Sequence, residues 1–238
     1  MRITIAFVLS FLSGQPLAAD ESCRQALALG LDVSGSVDLR EYRLQIDGLV
    51  TALNNPDVVS LLLSTPSAPV SLIIYEWSGP DDQAVLVPWT AIRGPADLRD
   101  ISVILSRTER RSSTPGTALG TAMALGASLL TQKDHCWKKT LDISGDGKSN
   151  LGPRPRDVRT DVSDLGITVN ALVIGADSPA SGDRRQQELG ELSSYFRAEV
   201  ITGPDSFVQT AIGFEAYADA MTLKLKRELE GLAISALQ

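Results

Sequence analysis

A chain of 238 residues with 43% hydrophobic and 21% charged side chains has the composition of a globular protein with a substantial buried core. Its formal net charge of −7 argues against a nucleic-acid partner, because a protein that neutralises phosphates needs a basic surface. The same acidic balance is compatible with cation binding, although most acidic proteins are simply soluble. Length alone allows one large domain or two small ones.

The start of the chain is predicted to be a signal peptide over residues 1–19. A short positive start precedes an apolar run, Ile3 to Leu12, and small residues then offer a cleavage point just after Ala19. The apolar run is too short to cross a bilayer, and an uncleaved interfacial anchor is the alternative. No later segment is apolar for long enough to span a membrane. We therefore expect a soluble mature protein, residues 20–238, in the periplasm or secreted.

Apolar and amphipathic runs alternate along the rest of the chain. Continuous apolar runs are typical of strands covered on both faces, and they predict six strands. These lie at Ala26–Leu31, Val70–Trp77, Ala84–Trp89, Lys139–Ser144, Ile167–Ile174 and Ala198–Ile201. Helical spacing predicts one helix N-capped by Asp38, another over Thr117–Leu130 and a last one from Asp205 toward Glu230.

This alternation predicts an α/β fold, with a doubly wound and mostly parallel six-stranded sheet between two layers of helices. The Ser78–Gln83 link is too short for a crossover helix, so it predicts one antiparallel edge strand. No repeat, low-complexity tract or change in composition marks a second domain. In such sheets, ligands bind at the carboxyl ends of strands near the point where strand order reverses.

Three polar segments place oxygen atoms at that edge of the predicted sheet. Asp32, Ser34 and Ser36 form D-x-S-x-S after the first strand, Thr117 follows a Pro-Gly turn and opens a helix, and Asp146 lies in S-G-D-G-K-S-N after the fourth strand. A carboxylate and two hydroxyls on alternate residues can face one point, which suits a hard divalent cation. Taken singly, each segment could equally be a helix cap or a plain turn.

Taken together, the three segments resemble the von Willebrand factor A superfamily, whose domains carry a metal-ion-dependent adhesion site. Order and spacing match over roughly residues 25–230, and the nearest resemblance is to uncharacterised stand-alone bacterial members. The resemblance implies a Rossmann-like fold over a single domain. Ser144-Gly145 departs from the Thr-Asp-Gly form common in the superfamily, but Asp146 and Gly147 keep their places.

The resemblance also implies a role for each site residue. Ser34 and Ser36 would coordinate the ion directly, Thr117 directly or through water, and Asp32 and Asp146 would hold waters and orient the serines. Mg²⁺ is the expected ion, with Ca²⁺ or Mn²⁺ as alternatives. An ion held mainly by neutral hydroxyls stays electrophilic, so its open position would accept an acidic side chain from a protein partner.

The two cysteines allow only one disulfide, and export to an oxidising compartment would favour it. Cys23 and Cys136 each lie just upstream of a strand-like run, those that lead to Asp32 and Asp146. If those strands are parallel neighbours, both sulfurs lie at the edge opposite the aspartates. Such a bridge would stabilise the fold by roughly 4 kcal/mol in the chain-entropy model. Two buried free thiols are the alternative.

Enzymatic functions are less well supported than binding. The only histidine, His135, lies beside Cys136 at the wrong end of the predicted sheet for a hydrolase, and bridged cysteines leave no usual zinc site. The main alternative is a Mg²⁺-dependent phosphoryl transferase with Asp32 as nucleophile. Such enzymes usually have a second carboxylate where Ser34 stands, and Lys148 would have to steady the phosphate. We therefore predict a non-enzymatic domain for metal-dependent protein interaction.

Three further residues are candidates for contact with the partner. Trp77 ends the second strand, and Arg110 and Arg111 precede the Gly-Thr turn. An aromatic side chain and two arginines beside a metal suit the capture of an acidic segment. The alternative is that all three are ordinary surface residues, with Trp77 partly packed.

Overall fold

A computed structural model describes residues 22–175 and 182–235. The signal peptide predicted over residues 1–19 lies outside these ranges and stays a prediction. In the two described ranges, no helix is both long and apolar enough to span a membrane.

The centre of the fold is a six-stranded sheet with the order β3-β2-β1-β4-β5-β6. Its strands are β1 (Cys23–Asp32), β2 (Val70–Trp77), β3 (Gln83–Ile92), β4 (Cys136–Gly145), β5 (Ile167–Ile174) and β6 (Val208–Ala211). Only β3 runs antiparallel to its neighbour, while the other adjacent strands are parallel. The predicted α/β fold with one antiparallel edge strand is confirmed.

Helices cover both faces of the sheet and form one core on each side. One face packs against α1 (Leu39–Leu53), α2 (Pro56–Leu62), α3 (Pro95–Arg107) and α7 (Tyr217–Ser235). The other packs against α4 (Leu119–Thr131), α5 (Pro155–Asp164) and α6 (Gly182–Glu199). Alternate residues of β1 divide between the two cores, with Leu27 and Leu29 on the first side and Ala26 and Ala28 on the second. This two-sided burial explains the continuous apolar strands.

The sixth strand lies later in the chain than predicted. Residues Ala198–Ile201 are not a strand, because α6 continues to Glu199. Phe196 and Val200, four residues apart, are fully buried in the second core, so their apolar character serves helix packing. The strand β6 instead pairs with β5, and it lies in a segment that the sequence pattern predicts as part of the last helix.

The last helix accordingly begins at Tyr217 and not at Asp205. Its apolar stripe from Phe207 to Phe214 fits a helical period, but Phe207 directly precedes β6, Ala211 ends it, and Phe214 begins a short 3-10 helix. Pairing with the open edge of β5 satisfies the backbone of this segment. Gly213, with φ of 78°, then separates the strand from the helix.

A disulfide joins β1 to β4 at the amino edge of the sheet. Cys23 and Cys136 are direct partners in the parallel register, with their Cα atoms 4.5 Å apart. The predicted pairing is therefore present in the structure. Asp32, at the other end of β1, lies on the opposite edge.

A buried ionic cluster fastens α7 to the sheet. The Lys224 ammonium lies 2.8 Å from Asp142 Oδ2 on β4 and 2.6 Å from Glu228 Oε1 on α7. Asn170 on β5 donates to the same Glu228 oxygen at 2.7 Å and accepts from the Phe207 amide at 3.1 Å. All four polar side chains are almost completely buried. The cluster therefore carries its own cation inside the core.

Candidate metal centre

Three loops meet at the carboxyl edge of the sheet, where strand order reverses between β1 and β4. Asp32 is the last residue of β1, Gly145 is the last residue of β4, and Thr117 lies just before α4. Because β1 and β4 are adjacent and parallel, their ends carry the first and third predicted segments to the same place.

Hydrogen bonds link four of the five predicted ligands. Ser34 donates its backbone N–H to Asp32 Oδ1 at 2.8 Å, and the hydroxyl oxygens of Ser34 and Ser36 are 3.3 Å apart. The Ser36 hydroxyl donates to Asp146 Oδ1 at 2.7 Å. Asp32 and Ser34 are completely buried, whereas Ser36 is exposed. The cluster therefore reaches from the interior to the surface.

Close backbone packing holds the Thr117 loop against the serines. The Gly35 amide donates to the Pro115 carbonyl at 3.0 Å. A Cβ atom on Gly35 would lie 2.6 Å from Pro115 Cβ, so this approach requires glycine. On its other side, the Thr117 amide donates to Asn150 Oδ1 at 2.9 Å, which ties the loop to the segment after β4. The fifth predicted residue therefore belongs to the same assembly of loops.

The two aspartates carry negative charge with no cation beside them. Among the described side chains, no lysine or arginine forms an ion pair with Asp32 or Asp146. Burial raises the pKa of Asp32 to about 7, and repulsion by Asp146 adds to the increase, while hydrogen bonds from Ser34 and the Asp146 amide oppose it. Burial also raises the pKa of Asp146, against the hydrogen bond from Ser36. The site favours anything that supplies positive charge.

One unsatisfied atom shows where that charge is missing. Asp32 Oδ2 is buried and has no hydrogen-bond partner. Burying such an oxygen costs free energy unless a donor or a cation compensates it. Carboxylates and hydroxyls form an all-oxygen set, the donors that hard divalent cations take. The residues present fit a divalent ion, which would polarise an anionic oxygen brought to it from outside.

Two supporting residues were given no role by the sequence. Gln45 Nε2 donates to the Asp32 carbonyl at 2.9 Å and fixes the end of β1. Asn150 binds both the amide and the carbonyl of Thr117. Gln45 interrupts the buried stripe of α1 between Tyr42 and Ile46, and such a polar residue on an apolar face is a signal that could have identified it.

The predicted partner contacts fare differently in the structure. Trp77 is completely buried in the core beneath α4, so its assignment as a surface contact is wrong. Arg110 donates to the carbonyls of Val33 and Ser34, at 3.1 and 3.2 Å, and braces the serine loop. Arg111 is 55% exposed and forms an ion pair with the buried Glu76 at 2.7 Å. Both arginines lie beside the site, whereas Trp77 supports it from below.

The residues considered for other chemistry lie elsewhere. His135 is grouped with Cys23 and Cys136, but both sulfurs are consumed by the disulfide and cannot bind a metal as thiolates. Lys148 extends over the ring of Tyr195, with its ammonium 5.9 Å from the ring centroid.

A family model described as "Protein of unknown function (DUF1194)" matches residues 22–233. No curated protein sequence matches the chain. Solved structures match over most of its length at low sequence identity, so they inform the fold alone.

Three of these structures illustrate the fold. Proximal thread matrix protein 1 from the mussel byssus, with a zinc-occupied metal-ion-dependent adhesion site motif, has a TM-score of 0.60 at 14% identity over 88% of this chain and 47% of its own. The von Willebrand factor type A protein from Catenulispora acidiphila has 0.57 at 14% identity over 87% and 43%. The pilus adhesin SpaC from Lactobacillus rhamnosus GG has 0.57 at 16% identity over 88% and 30%.

The chain thus spans about half the length of the mussel protein and less of the adhesin. The chain has the von Willebrand factor A fold, and the predicted resemblance is confirmed at this level.

Proposed function

We propose that this chain, which belongs to the family described as a protein of unknown function (DUF1194), is an exported binding protein that captures a protein partner through a divalent ion. The observation that carries the proposal is a pair of aspartates without a cation, Asp32 buried and Asp146 half-buried, in which Asp32 Oδ2 lacks any hydrogen-bond partner. Asp32 accepts the Ser34 amide in the interior, and Asp146 accepts the Ser36 hydroxyl at the surface.

Each residue would have a distinct role in holding the ion. Ser34 and Ser36 would supply neutral hydroxyl oxygens, and Thr117 a third, directly or through water. Asp32 and Asp146 would orient the serines, as their hydrogen bonds already do, and would balance the ion's charge. An ion bound in this way keeps a need for an anionic ligand, which an acidic side chain of the partner would meet.

Mg²⁺ is the proposed ion, with Ca²⁺ and Mn²⁺ as alternatives. The zinc in the adhesion-site motif of the mussel protein makes Zn²⁺ a further ion to test. Export, to the periplasm or beyond the cell, is supported by the disulfide, since structural disulfides persist in oxidising compartments.

Binding is a better proposal than phosphoryl transfer. Asp32 is completely buried, and one of its oxygens already accepts the Ser34 amide, so it is poorly placed to attack a phosphate. Lys148, the lysine that would have to steady the phosphate, lies instead over the ring of Tyr195. A screen for phosphatase turnover, with Asp32→Asn as the inactive control, tests this alternative directly.

The decisive measurement is calorimetric titration of the protein with Mg²⁺ and Mn²⁺. We expect Asp146→Ala to abolish ion binding while circular dichroism shows an unchanged fold, because the Asp146 side chain lies at the surface end of the cluster. Asp161→Ala, on the exposed face of α5, is the matched control and should bind the ion normally. Unchanged binding by Asp146→Ala would refute the site. Pull-down of one partner with and without EDTA then tests the capture itself.

A further inference from the structure

A groove between α1 and the end of α3 opens beside the metal-binding loops. It has a volume of about 730 Å³ and is lined by Leu39, Tyr42, Arg43 and residues 106–110. Leu39 begins α1 shortly after Ser36, and residues 106–110 lead from α3 toward the loop that carries Thr117. The groove therefore starts where the candidate metal site ends.

Arg110, which lines the groove, also contacts the candidate metal-binding loop. Arg110 donates through Nη2 to the carbonyls of Val33 and Ser34, and its Nε is buried without a partner. The groove and the serine loop are thus parts of one continuous surface.

The groove carries positive charge in a chain whose net charge is −7. Arg43 is already engaged, since it forms an ion pair with Asp47 and donates to the Thr108 carbonyl at 2.9 Å. Arg107 is exposed at the end of α3, and no described residue forms an ion pair or hydrogen bond with its side chain. Arg107 and Arg110 face only one acidic lining residue, Glu109. The free donors of this surface suit a carboxylate.

An apolar side chain lies between the metal site and these donors. Leu39 is 70% exposed, although a leucine at the first position of a helix gains nothing from contact with water. Behind it, Tyr42 is buried and its hydroxyl donates to Glu76 at 3.2 Å, so the groove floor is rigidly held. Leu39 offers a contact for an apolar side chain that lies over it.

We propose that the groove binds a second acidic side chain of the same partner segment whose first acidic side chain binds the ion. The segment is extended, with an apolar residue over Leu39 and the second carboxylate paired with Arg107. Arg110 stays on the serine loop. This inference rests on the proposed function, because the ion holds the segment beside the groove and raises its effective concentration there.

The test uses synthetic peptides as probes. Each peptide consists of an acetylated glutamate, a leucine, zero to three alanines and an amidated second glutamate. In the matched control peptides, glutamine replaces the second glutamate. Binding is followed by NMR titration of the protein with saturating Mg²⁺ and again in EDTA. At the best spacing, we expect the second glutamate to tighten binding about fivefold, the upper range for an exposed charge pair. Added NaCl should shrink this gain.

Protein variants test whether Arg107 causes the tighter binding of the peptide with a second glutamate. Arg107→Gln should remove the gain and leave Mg²⁺ affinity unchanged, whereas Arg99→Gln, exposed on the same helix, should keep it. A gain that survives in Arg107→Gln overturns the inference, and so does an absence of peptide binding both with Mg²⁺ and in EDTA.

The remaining outcomes separate the inference from the proposed function. Equal Mg²⁺-dependent binding of both peptides overturns the groove and leaves metal-dependent capture standing. A gain that persists in EDTA supports the groove and contradicts capture through the ion. Self-association that Arg107→Gln abolishes and the peptides do not inhibit would assign the groove to a second copy of the chain, and so overturn the peptide proposal.

Discussion

Two groups of buried carboxylates lie close together along β4, and they differ in how their charge is balanced. Asp142, within the strand, pairs with Lys224 of α7. Asp146, just beyond its end, faces Asp32 with no lysine or arginine of the described chain in an ion pair. The pKa values of Asp32 and Asp142 are both raised to about 7, chiefly by burial; the Asp146 charge adds to the increase at Asp32, whereas at Asp142 the Lys224 charge opposes the increase and the Glu228 charge adds to it.

The difference separates a structural cluster, around Lys224, from a proposed binding cluster, around Asp32. Lys224 forms ion pairs with two carboxylates inside the core, so this cluster has its own cation, although Asp142 Oδ1 and Glu228 Oε2 have no hydrogen-bond partner. The Asp32 cluster also leaves a buried oxygen unpaired, Asp32 Oδ2, but no lysine or arginine among the described side chains pairs with its carboxylates. We propose that a cation from solution balances their charge. Removing the charge from each cluster should therefore have opposite effects on stability.

The largest effect is expected for Lys224→Met. The substitution keeps a long apolar stem but leaves Asp142 and Glu228 buried without their cation. Breaking a buried ion pair in this way typically costs about 3–5 kcal/mol of unfolding free energy, which urea denaturation measures. Saturating Mg²⁺ should leave this loss unchanged, because the ion binds the other cluster.

Lys226→Met is the matched control for this experiment. Lys226 lies two residues along the same helix and pairs with Asp57 at the surface, so its loss should change stability very little. Similar stabilities for the two methionine variants would show that the buried cluster contributes nothing that the surface pair does not.

A smaller effect of opposite sign is expected for Asp32→Asn. Above pH 7 the metal-free protein carries a buried charge at Asp32, and an amide of the same shape removes it while still accepting the Ser34 amide. We expect the variant without metal to gain about 1–3 kcal/mol, given that one pKa unit corresponds to about 1.4 kcal/mol. Mg²⁺, which should stabilise the natural protein, should no longer stabilise the variant. A loss of metal-free stability would contradict the comparison.

The part of this comparison that the sequence could predict is the binding cluster. Asp32, Ser34 and Ser36 lie at a strand end in one short motif, and the cysteines indicated that β1 and β4 are neighbours. Parallel neighbours must end at the same edge, so local patterns were enough to bring Asp146 to the site.

The structural cluster could not be predicted in the same way. Lys224 and Glu228 stand four residues apart on a helix, a pattern typical of an exposed ion pair. Their burial depends on Asp142 and Asn170, which come from two different strands. The sixth strand also depends on tertiary structure. The apolar pattern around Val208–Ala211 fits a helix, and the segment forms a strand because it pairs with the open edge of β5.

The most gradual expected effect is the pH dependence of the response to the ion. The folded pKa of Asp32, about 7, lies above the ordinary value near 4, so the folded state holds its proton more tightly than the unfolded state. The contribution of Asp32 to metal-free stability should therefore be greatest below about pH 4 and fall as pH rises toward 7, by at most about 1.4 kcal/mol per pH unit. Asp142 contributes in the same direction, with or without the ion.

Only the Asp32 contribution should respond to metal. An ion takes the place of the proton, so Mg²⁺ affinity should rise with pH up to about 7 and then level off. Melting temperatures measured from pH 4 to 8, with and without Mg²⁺, should therefore separate progressively, while Asp32→Asn gives two curves that stay together. A constant separation would mean that the ion does not compete with the proton on Asp32, and the two carboxylate clusters would then differ less than their geometry indicates.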